Sequence, residues 1–171
     1  MTISRTHLVI MPAYNPGPRL LATVVEVLRH WRPVMVVVDG STDGCEAPVL
    51  ELARTEPALT VLVLPRNGGK GAAVLAGAEA AHALGFTHAL VMDADGQHPA
   101  ASIAEFMAAS AGQPDALVLG RPIFPANIPP ERRHGRKLSV GLVRLEVGGP
   151  WIADPLFGFR IYPLVPLLAV L

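Results

Sequence analysis

The sequence repeats one pattern along most of its length: a short apolar run, then polar or glycine-rich residues, then a helical pattern. The apolar runs do not alternate with polar residues and are rich in valine and leucine, which is typical of strands buried on both faces of a sheet. Strands that alternate with helices along a chain pair mostly in parallel. The pattern therefore predicts an α/β fold with a mostly parallel central sheet.

The predicted elements follow one another with short connections. The strands are predicted at Leu8–Met11, Val34–Val38, Val61–Leu64, His88–Met92 and Ala116–Leu119. The helices are predicted at Leu20–Arg29, about Ala47–Arg54, Gly69–Leu84 and Ile103–Ser110. After Gly120 the pattern stops, because the proline-rich stretch 121–134 disfavours a helix. One more helix is predicted over Arg136–Val147.

Charge and cysteine content limit the partners and the compartment. Fourteen basic and fourteen acidic residues cancel, so no overall field favours nucleic acid as a partner. The single cysteine, Cys45, excludes a disulfide within the chain and favours a reducing compartment. No signal peptide is visible, and no apolar stretch reaches the roughly 20 residues of a membrane span. We therefore expect a cytoplasmic protein without a transmembrane segment, and the apolar C-terminal IYPLVPLLAVL favours a chain cut inside an element.

Distinctive polar residues follow four of the predicted strands. They are PAYN at 12–15, DGSTDG at 39–44, RNGGKG at 66–71 and DADGQH at 93–98. Polar loops are common, so any one of these clusters can be an ordinary loop. In open α/β sheets, however, ligands bind beyond the carboxyl ends of the strands. Four such clusters on the same side of one sheet predict a single binding crevice.

The strongest of the four clusters contains two aspartates one residue apart. Asp93 and Asp95 follow an apolar run, and in extended backbone their side chains would point the same way. Two neighbouring carboxylates at the end of a buried strand are costly unless a cation joins them. Oxygen ligands of this kind suit Mg²⁺ or Mn²⁺, with phosphates completing the shell. The alternative is a turn that merely uses Asp and Gly.

Two other clusters predict contacts to a nucleotide. The glycines of the RNGGKG loop, Gly69 among them, let backbone N–H groups approach an anion, and Lys70 adds charge at a helix N-terminus. A plain helix cap is the alternative. Asp39 can accept a hydrogen bond from a nucleobase, or it can form an ordinary turn that caps the next helix. Tyr14 offers a ring for stacking and Asn15 offers an amide.

Taken together, MPAYNPG, VVVDGSTDG, RNGGKGAA, LVMDADGQHP and DPLFGFRIYP, in that order, resemble the family 2 glycosyltransferases. The closest subgroup is the dolichyl- or polyprenyl-phosphate sugar transferases, and the resemblance covers His7 to Pro163. It implies a GT-A fold, which is a Rossmann-like three-layer sandwich, and a nucleotide-sugar donor with a UDP or GDP group. It also implies one glycosyltransferase domain over 1–171, with a nucleotide-sugar-binding half at 1–119 and an incomplete acceptor-side half at 120–171.

The resemblance carries roles to the matching positions. The residues that it implies for nucleotide binding are Pro12, Ala13, Tyr14, Asn15, Asp39, Gly69, Lys70 and Asp93. The residues that it implies for the divalent metal are Asp93, Asp95 and Gln97. Asp154 and the Gly-Phe-Arg at 158–160, which includes Arg160, match the motif on the acceptor side. Many family members carry two consecutive acids in the second motif, whereas Val38 stands at the first of these positions here.

The reaction that the resemblance implies is transfer with inversion at the anomeric carbon, with Asp95 in a catalytic role through the metal. A lipid-phosphate acceptor is already anionic and needs no general base, whereas a hydroxyl acceptor needs a carboxylate. Asp154 is the candidate base, and a structural role before Pro155 is the alternative. Arg132 and Arg133 belong to a basic run that is either a solvated face or a contact for an anionic acceptor or the inner face of the membrane.

Two other functions stay open from the sequence. A non-catalytic module that binds nucleotide sugars would use the same motifs. A haloacid-dehalogenase-type phosphatase also carries Asp-x-Asp-Gly after an apolar strand, although its motif requires Thr or Val where Gln97 stands.

Overall fold

The computed structural model of the chain describes residues 3–121 and 157–170. The strands of this part are β1 (His7–Ala13), β2 (Val34–Asp39), β3 (Leu59–Leu64), β4 (His88–Val91), β5 (Val118–Leu119) and β6 (Arg160–Pro163). Its α-helices are α1 (Arg19–His30), α2 (Glu46–Ala53), α3 (Lys70–Ala83), α4 (Ile103–Gly112) and α5 (Leu164–Ala169). The strands form one sheet in the order β3-β2-β1-β4-β6-β5.

The predicted α/β architecture is confirmed. Every strand and helix predicted between residues 8 and 119 is present, with bounds that differ by two residues at most. Strands β3, β2, β1 and β4 pair with one another in parallel. The helix predicted over Arg136–Val147 lies outside the described residues.

The C-terminal segment supplies two elements that the sequence did not predict. Strand β6 pairs antiparallel with β4, and Arg160 lies opposite Val91 in this register. The short helix α5 follows directly and buries Leu164 completely. The sheet is therefore mixed at one side and parallel over the four strands that carry the predicted motifs.

Helices cover both faces of the sheet. Side chains alternate along a strand, and all seven residues of β1 are buried. Leu8 and Ile10 of β1 pack in one core cluster with α3. Helix α3 can approach the sheet closely because Gly77 has no side chain. A Cβ at this position would lie only 2.9 Å from Ile10 Cγ2 and 3.0 Å from Val37 Cγ2. The opposite face buries Val9 and Met11, and helix α1 packs on the sheet at β2. The result is a three-layer arrangement.

The topology places a switch point at β1. Strand β2 lies on one side of β1 and β4 lies on the other, so the polypeptide runs from β1 through β2 to β3 on one side and then crosses back to β4 on the other side of β1. A crevice forms at such a point beyond the carboxyl ends of the strands. The motifs that follow β1, β2 and β4 therefore meet at one place.

The contacts between residues divide the chain into two compact units. The first comprises Met1–Val118 and Phe159–Leu171, and the second comprises Leu119–Gly158. The first unit contains β1 to β4, β6 and the five helices. The single domain over 1–171 stays a prediction. None of the helices in the described part of the chain combines the length and apolar character that a membrane crossing requires.

Candidate active site

A cleft of about 290 Å³ opens beside the carboxyl ends of β1 and β2 and the start of α3. Strand ends and the glycine-rich loop form its walls. The lining residues are Pro12, Ala13, Tyr14, Asp39, Asn67, Gly69, Lys70 and Ala73. Six of the eight residues predicted to bind a nucleotide therefore share one cleft. The sequence did not single out Asn67 or Ala73, although both lie within the RNGGKGAA motif.

Asp39 holds the glycine-rich loop in place. Its side chain is buried at the end of β2, with only 2% of the residue exposed. Oδ1 accepts a hydrogen bond from the Gly68 N–H at 2.8 Å, and Oδ2 accepts one from the Gly69 N–H at 2.9 Å. Each carboxylate oxygen can accept a second hydrogen bond, so Asp39 retains acceptor capacity where it lines the cleft.

The residue after Asp39 must be a glycine for this arrangement. Gly40 has a φ of 59°, and a Cβ there would lie 2.3 Å from the Asn67 backbone nitrogen. The Asn67 side chain braces the same loop, because its Oδ1 accepts a hydrogen bond from the Gly69 N–H at 2.8 Å. The end of β2 and the loop before α3 therefore form one tightly packed corner.

Asn15 links two loops and does not line the cleft. Its side-chain oxygen accepts a hydrogen bond from the Thr42 N–H at 2.8 Å. In the same pair of loops, the Gly17 N–H donates to Asp43 Oδ2 at 2.7 Å. Tyr14, immediately before Asn15, is 54% exposed and lies at the cleft. The loop after β1 is thus fixed on the loop after β2, with an aromatic ring left open to a ligand.

Within the described residues, one group of three ligand-type side chains lies close enough to hold a metal ion: Asp43, Cys45 and Glu46. The side chains of this group are already used within the loop. Burial raises the pKa of the Cys45 thiol to about 11, so the thiol is protonated at neutral pH. The Asp43 carboxylate already accepts hydrogen bonds from the Gly17 and Cys45 N–H groups. The group organises the loop.

The loop after β4 departs from the extended conformation expected for the Asp-x-Asp motif. Ala94 and Asp95 lie in a turn, and Gly96 has a φ of 77°. The expectation of two side chains aligned by extended backbone is therefore wrong, because the turn begins between the two aspartates. Asp95 Oδ1 accepts a hydrogen bond from the Gln97 N–H at 2.9 Å, and Gln97 itself is exposed.

Asp93 is held by two basic side chains. Lys70 Nζ donates to Asp93 Oδ1, and His98 Nε2 lies 3.3 Å from Asp93 Oδ2. The hydrogen bond to His98, followed by the hydrogen bond and charge of Lys70, lowers the pKa of Asp93 to about 2 in spite of its burial. Asp93 is therefore ionised at neutral pH. Its side chain is 35% exposed and that of Lys70 is 52% exposed, so solvent and solutes reach this ion pair.

An aromatic cluster supports His98 from behind. The His98 and Phe159 rings lie 5.4 Å apart, and Phe159 meets Phe106 edge to face at 4.7 Å. Phe159 is 1% exposed. The packing role of Phe159 was not predicted from the sequence, although Phe159 belongs to the Gly-Phe-Arg motif. Arg160 follows in β6, where its Nη1 donates to the Tyr162 hydroxyl at 3.4 Å.

The donor set of the β4 loop fits a hard divalent cation. Asp93 is ionised. One carboxylate oxygen of Asp95 already accepts a hydrogen bond within its own turn. Two carboxylates and an amide are oxygen ligands of the kind that Mg²⁺ binds together with phosphate oxygens or water, although Asp93 and Asp95 do not belong to a close group of three ligand-type side chains in the described part of the chain. Lys70 is the group that competes with a cation at Asp93. The predicted Asp154, Arg132 and Arg133 lie outside the described residues.

A protein-family model described as glycosyl transferase family 2 matches residues 8–163. The chain belongs to this family. Polyprenol monophosphomannose synthase from Mycolicibacterium smegmatis is 39% identical over 95 residues, which cover 53% of this chain and 36% of that relative. UDP-N-acetylglucosamine–dolichyl-phosphate N-acetylglucosaminyltransferase from Methanococcus voltae is 25% identical over 170 residues, covering 90% of this chain and 67% of the relative.

The fold of this family 2 glycosyltransferase also matches solved structures. A mannosyltransferase from Pyrobaculum calidifontis, in complex with GDP-Man and Mn²⁺, superposes with a TM-score of 0.66 at 20% identity, covering 98% of this chain and 49% of the other. This confirms the predicted GT-A fold. The subgroup resemblance is confirmed by the relatives, which carry polyprenol- and dolichyl-phosphate names. Family membership decides against the phosphatase alternative. The chain spans about half of the solved mannosyltransferase and 36% of the mycobacterial relative.

Proposed function

We propose that this family 2 glycosyltransferase moves a hexose from a UDP- or GDP-linked donor to a lipid-phosphate or other membrane-associated acceptor. The transfer depends on a divalent metal and inverts the anomeric carbon. One observation carries the proposal: a single cleft brings together Tyr14, Asp39 and Lys70, and Lys70 reaches the first carboxylate of the Asp-x-Asp motif. The relatives named for polyprenol and dolichyl-phosphate transfer support the acceptor class.

The nucleotide is proposed to bind along the cleft. The base stacks on the exposed ring of Tyr14 and donates an N–H to Asp39. The diphosphate meets Lys70 and the N–H groups at the start of α3, where the helix dipole favours negative charge. The residues proposed for nucleotide binding are Pro12, Ala13, Tyr14, Asn15, Asp39, Gly69, Lys70 and Asp93. Of these, Asn15 acts by holding the loop that carries Tyr14.

Asp93, Asp95 and Gln97 are proposed to hold Mg²⁺ or Mn²⁺. When bound, the ion would supply positive charge against the nucleoside diphosphate that leaves as the glycosidic bond breaks. The Pyrobaculum mannosyltransferase that shares the fold is in complex with GDP-Man and Mn²⁺, which is consistent with this donor and metal class. His98 and Lys70 keep Asp93 ionised for this purpose.

The acceptor is proposed to approach on the side of β6. Arg160 lies opposite Val91, the last residue of β4, so β6 brings a guanidinium-bearing residue to the strand that ends at the metal loop. Arg160 is proposed to contact an anionic acceptor, and Arg132 and Arg133, which lie outside the described residues, stay predicted acceptor contacts. A phosphate acceptor attacks as an anion, whereas a hydroxyl acceptor would transfer its proton to Asp154. A cytoplasmic protein at the inner face of the membrane would meet such an acceptor.

Asp95→Ala tests the enzymatic part of the proposal. We expect this variant to bind UDP or GDP without metal as the unaltered protein does, because Asp95 does not line the cleft. Transfer of labelled sugar to polyprenyl phosphate in the presence of Mn²⁺ should fall at least about 100-fold, because charge stabilisation of the leaving group is lost. Asp115→Ala is the matched control, because it removes an exposed carboxylate that lies outside the cleft.

Two outcomes would contradict the proposal in different ways. Near-normal transfer by Asp95→Ala would remove the metal assignment. Calorimetric titration of the unaltered chain with UDP and GDP sugars, with and without Mn²⁺, distinguishes the enzyme from the remaining alternative, a non-catalytic binding module. Metal-dependent binding of the nucleotide sugar without any donor cleavage or transfer would identify a non-catalytic binding module.

A further inference from the structure

We infer that Lys70 is an internal counter-ion of Asp93 that metal binding releases to the diphosphate, so that the metal recruits the lysine to the donor. This inference rests on the proposed function, because it concerns the order in which the same cleft is filled. It starts from the contact between Lys70 Nζ and Asp93 Oδ1. Lys70 is the first residue of α3 and also lines the nucleotide-sized cleft.

The single ammonium group of Lys70 can pair either with the Asp93 carboxylate or with the diphosphate of the donor. While it pairs with Asp93, its charge is neutralised and adds little to the attraction for a diphosphate. A divalent cation at Asp93 carries more charge than the ammonium at the same carboxylate, so it displaces Lys70. Both partners are about one-third to one-half exposed, so the exchange needs only a change of side-chain rotamer.

The rest of the site restricts the exchange to the lysine. The other oxygen of Asp93 lies against His98, whose side chain is only 7% exposed and which packs on Phe159. Asp39 fixes the backbone just before Lys70 through the Gly68 and Gly69 N–H groups. The backbone before Lys70 and the side chain of Asp93 are thus held, and the part that is free to move is the four-carbon stem of Lys70. A lysine suits this role because its ammonium is a compact charge on a mobile stem.

The inference makes the effect of Lys70 on nucleotide binding conditional on the metal. Lys70→Met removes the charge and keeps most of the stem. With saturating Mn²⁺, we expect this variant to bind UDP or GDP, whichever the unaltered protein binds more tightly, about tenfold more weakly. Without metal, the nucleotide affinity should change by less than about twofold, because Lys70 of the unaltered protein is already paired with Asp93. Mn²⁺ alone, titrated by electron paramagnetic resonance of the free ion, should bind Lys70→Met several-fold more tightly.

A double-mutant cycle without metal isolates the exchange from simple charge effects. Asp93→Asn frees Lys70 and should tighten nucleotide binding, and that gain should disappear in Asp93→Asn/Lys70→Met. Arg66→Met is the matched control, because it removes a charge from the same loop at a residue that does not line the cleft. It should alter neither Mn²⁺ affinity nor the metal dependence of the nucleotide.

Each result decides the inference. An equal loss of nucleotide affinity in Lys70→Met with and without Mn²⁺, or an additive cycle, would overturn it and leave Lys70 as an ordinary phosphate ligand while the proposed function stands. Failure of the unaltered chain to bind a nucleoside diphosphate in any metal condition would instead overturn the proposed function, and this inference with it. Loss restricted to the metal-bound state, together with a non-additive cycle, supports the exchange.

Discussion

Asp39 ends β2 and Asp93 lies two residues after β4, and these two carboxylates beside β1 are bound in opposite ways. Asp39 is 2% exposed and gives both oxygens to backbone N–H groups of the glycine-rich loop. Asp93 has a side chain that is 35% exposed and is bound to side chains, one of which is an exposed lysine. The corner after β2 is built from backbone contacts, whereas the loop after β4 is built from contacts that can be exchanged.

This difference assigns the two carboxylates different physical tasks. A buried carboxylate bound to backbone N–H groups fixes the path of a loop, because neither partner can move without breaking the turn. An exposed carboxylate paired with a lysine can change its partner at little cost, because surface ion pairs contribute only about 0–1 kcal/mol. A metal site needs the second kind of carboxylate, and a preformed nucleotide cleft needs the first.

The largest expected effect is a loss of stability on replacing a glycine, and it should differ between the corner after β2 and the loop after β4. Gly40→Ala places a Cβ 2.3 Å from the Asn67 nitrogen at a φ of 59°. We expect it to lower the free energy of unfolding by about 3 kcal/mol, from overpacking and left-handed strain together. Gly96→Ala has the same kind of φ, but its Cβ would meet only Thr23 Oγ1 at 3.4 Å. It should cost about 1 kcal/mol.

Urea unfolding followed by circular dichroism measures both variants. Gly44→Ala is a further control, because Gly44 has a φ of 73° and no atom within 4 Å of the added Cβ. Equal losses for Gly40→Ala and Gly96→Ala would show that the corner after β2 is as adaptable as the β4 loop, and the contrast between the two regions would fail.

The next effect compares the carboxylates themselves. Asp39→Ala leaves the Gly68 and Gly69 N–H groups without their charged acceptor, and hydrogen bonds to charged groups contribute about 1.5–3 kcal/mol each. We expect a loss of about 2 kcal/mol in the free energy of unfolding, because the loop N–H groups can partly turn to water. Asp93→Ala should lose less, about 1 kcal/mol, because exposed Lys70 stays solvated and the lost contact to His98 is a long one at 3.3 Å. A larger loss for Asp93→Ala than for Asp39→Ala in the same urea titration would reverse the assignment.

The sequence was sufficient for the parallel part of the fold and for the location of the site. Unbroken apolar runs such as Val34–Val38 indicate burial on both faces directly, and the polar residues after these runs predicted the cleft that six of the eight proposed nucleotide-binding residues line. The cation site at Asp93 and Asp95 stays a prediction. Strand β6 was missed for a physical reason. It has four residues with a proline at its end, and it is a strand only because it pairs with β4, which lies about seventy positions earlier in the chain.

The use of each polar group in the site could not be predicted in the same way. Asp39 was expected to bind a base or cap a turn, and its contacts to Gly68 and Gly69 cross about thirty residues of sequence. The pairing of Lys70 with Asp93 likewise depends on which strands become neighbours. Local spacing identifies the chemistry of a loop, whereas the partners of each group are fixed by tertiary packing.

The last comparison concerns the opposite ends of β1 and β4, where these strands begin. His7 and His88 are cross-strand partners whose rings stack at 4.4 Å, and His7 Nε2 lies 3.2 Å from Ser110 Oγ. Burial, followed by the charge of His88, lowers the pKa of His7 to about 4. The unfolded chain, with a histidine pKa near 6.5, therefore binds more protons than the folded protein between these values. The stabilisation is complete above about pH 6.5 and is lost as the pH falls towards 4.

We expect the free energy of unfolding to fall in this window by at most about 1.4 kcal/mol per pH unit through His7. Asp93 does not contribute there, because its pKa of about 2 keeps it ionised. Urea titrations at pH 7, 6 and 5 measure the slope, which should flatten in His7→Phe. His82→Gln is the control, because His82 is exposed on α3, and it should keep the slope of the unaltered protein. If His7→Phe also keeps the slope of the unaltered protein, the loss of stability at low pH arises from other groups. The buried histidine pair would then not be the source of the pH dependence assigned to this end of the sheet.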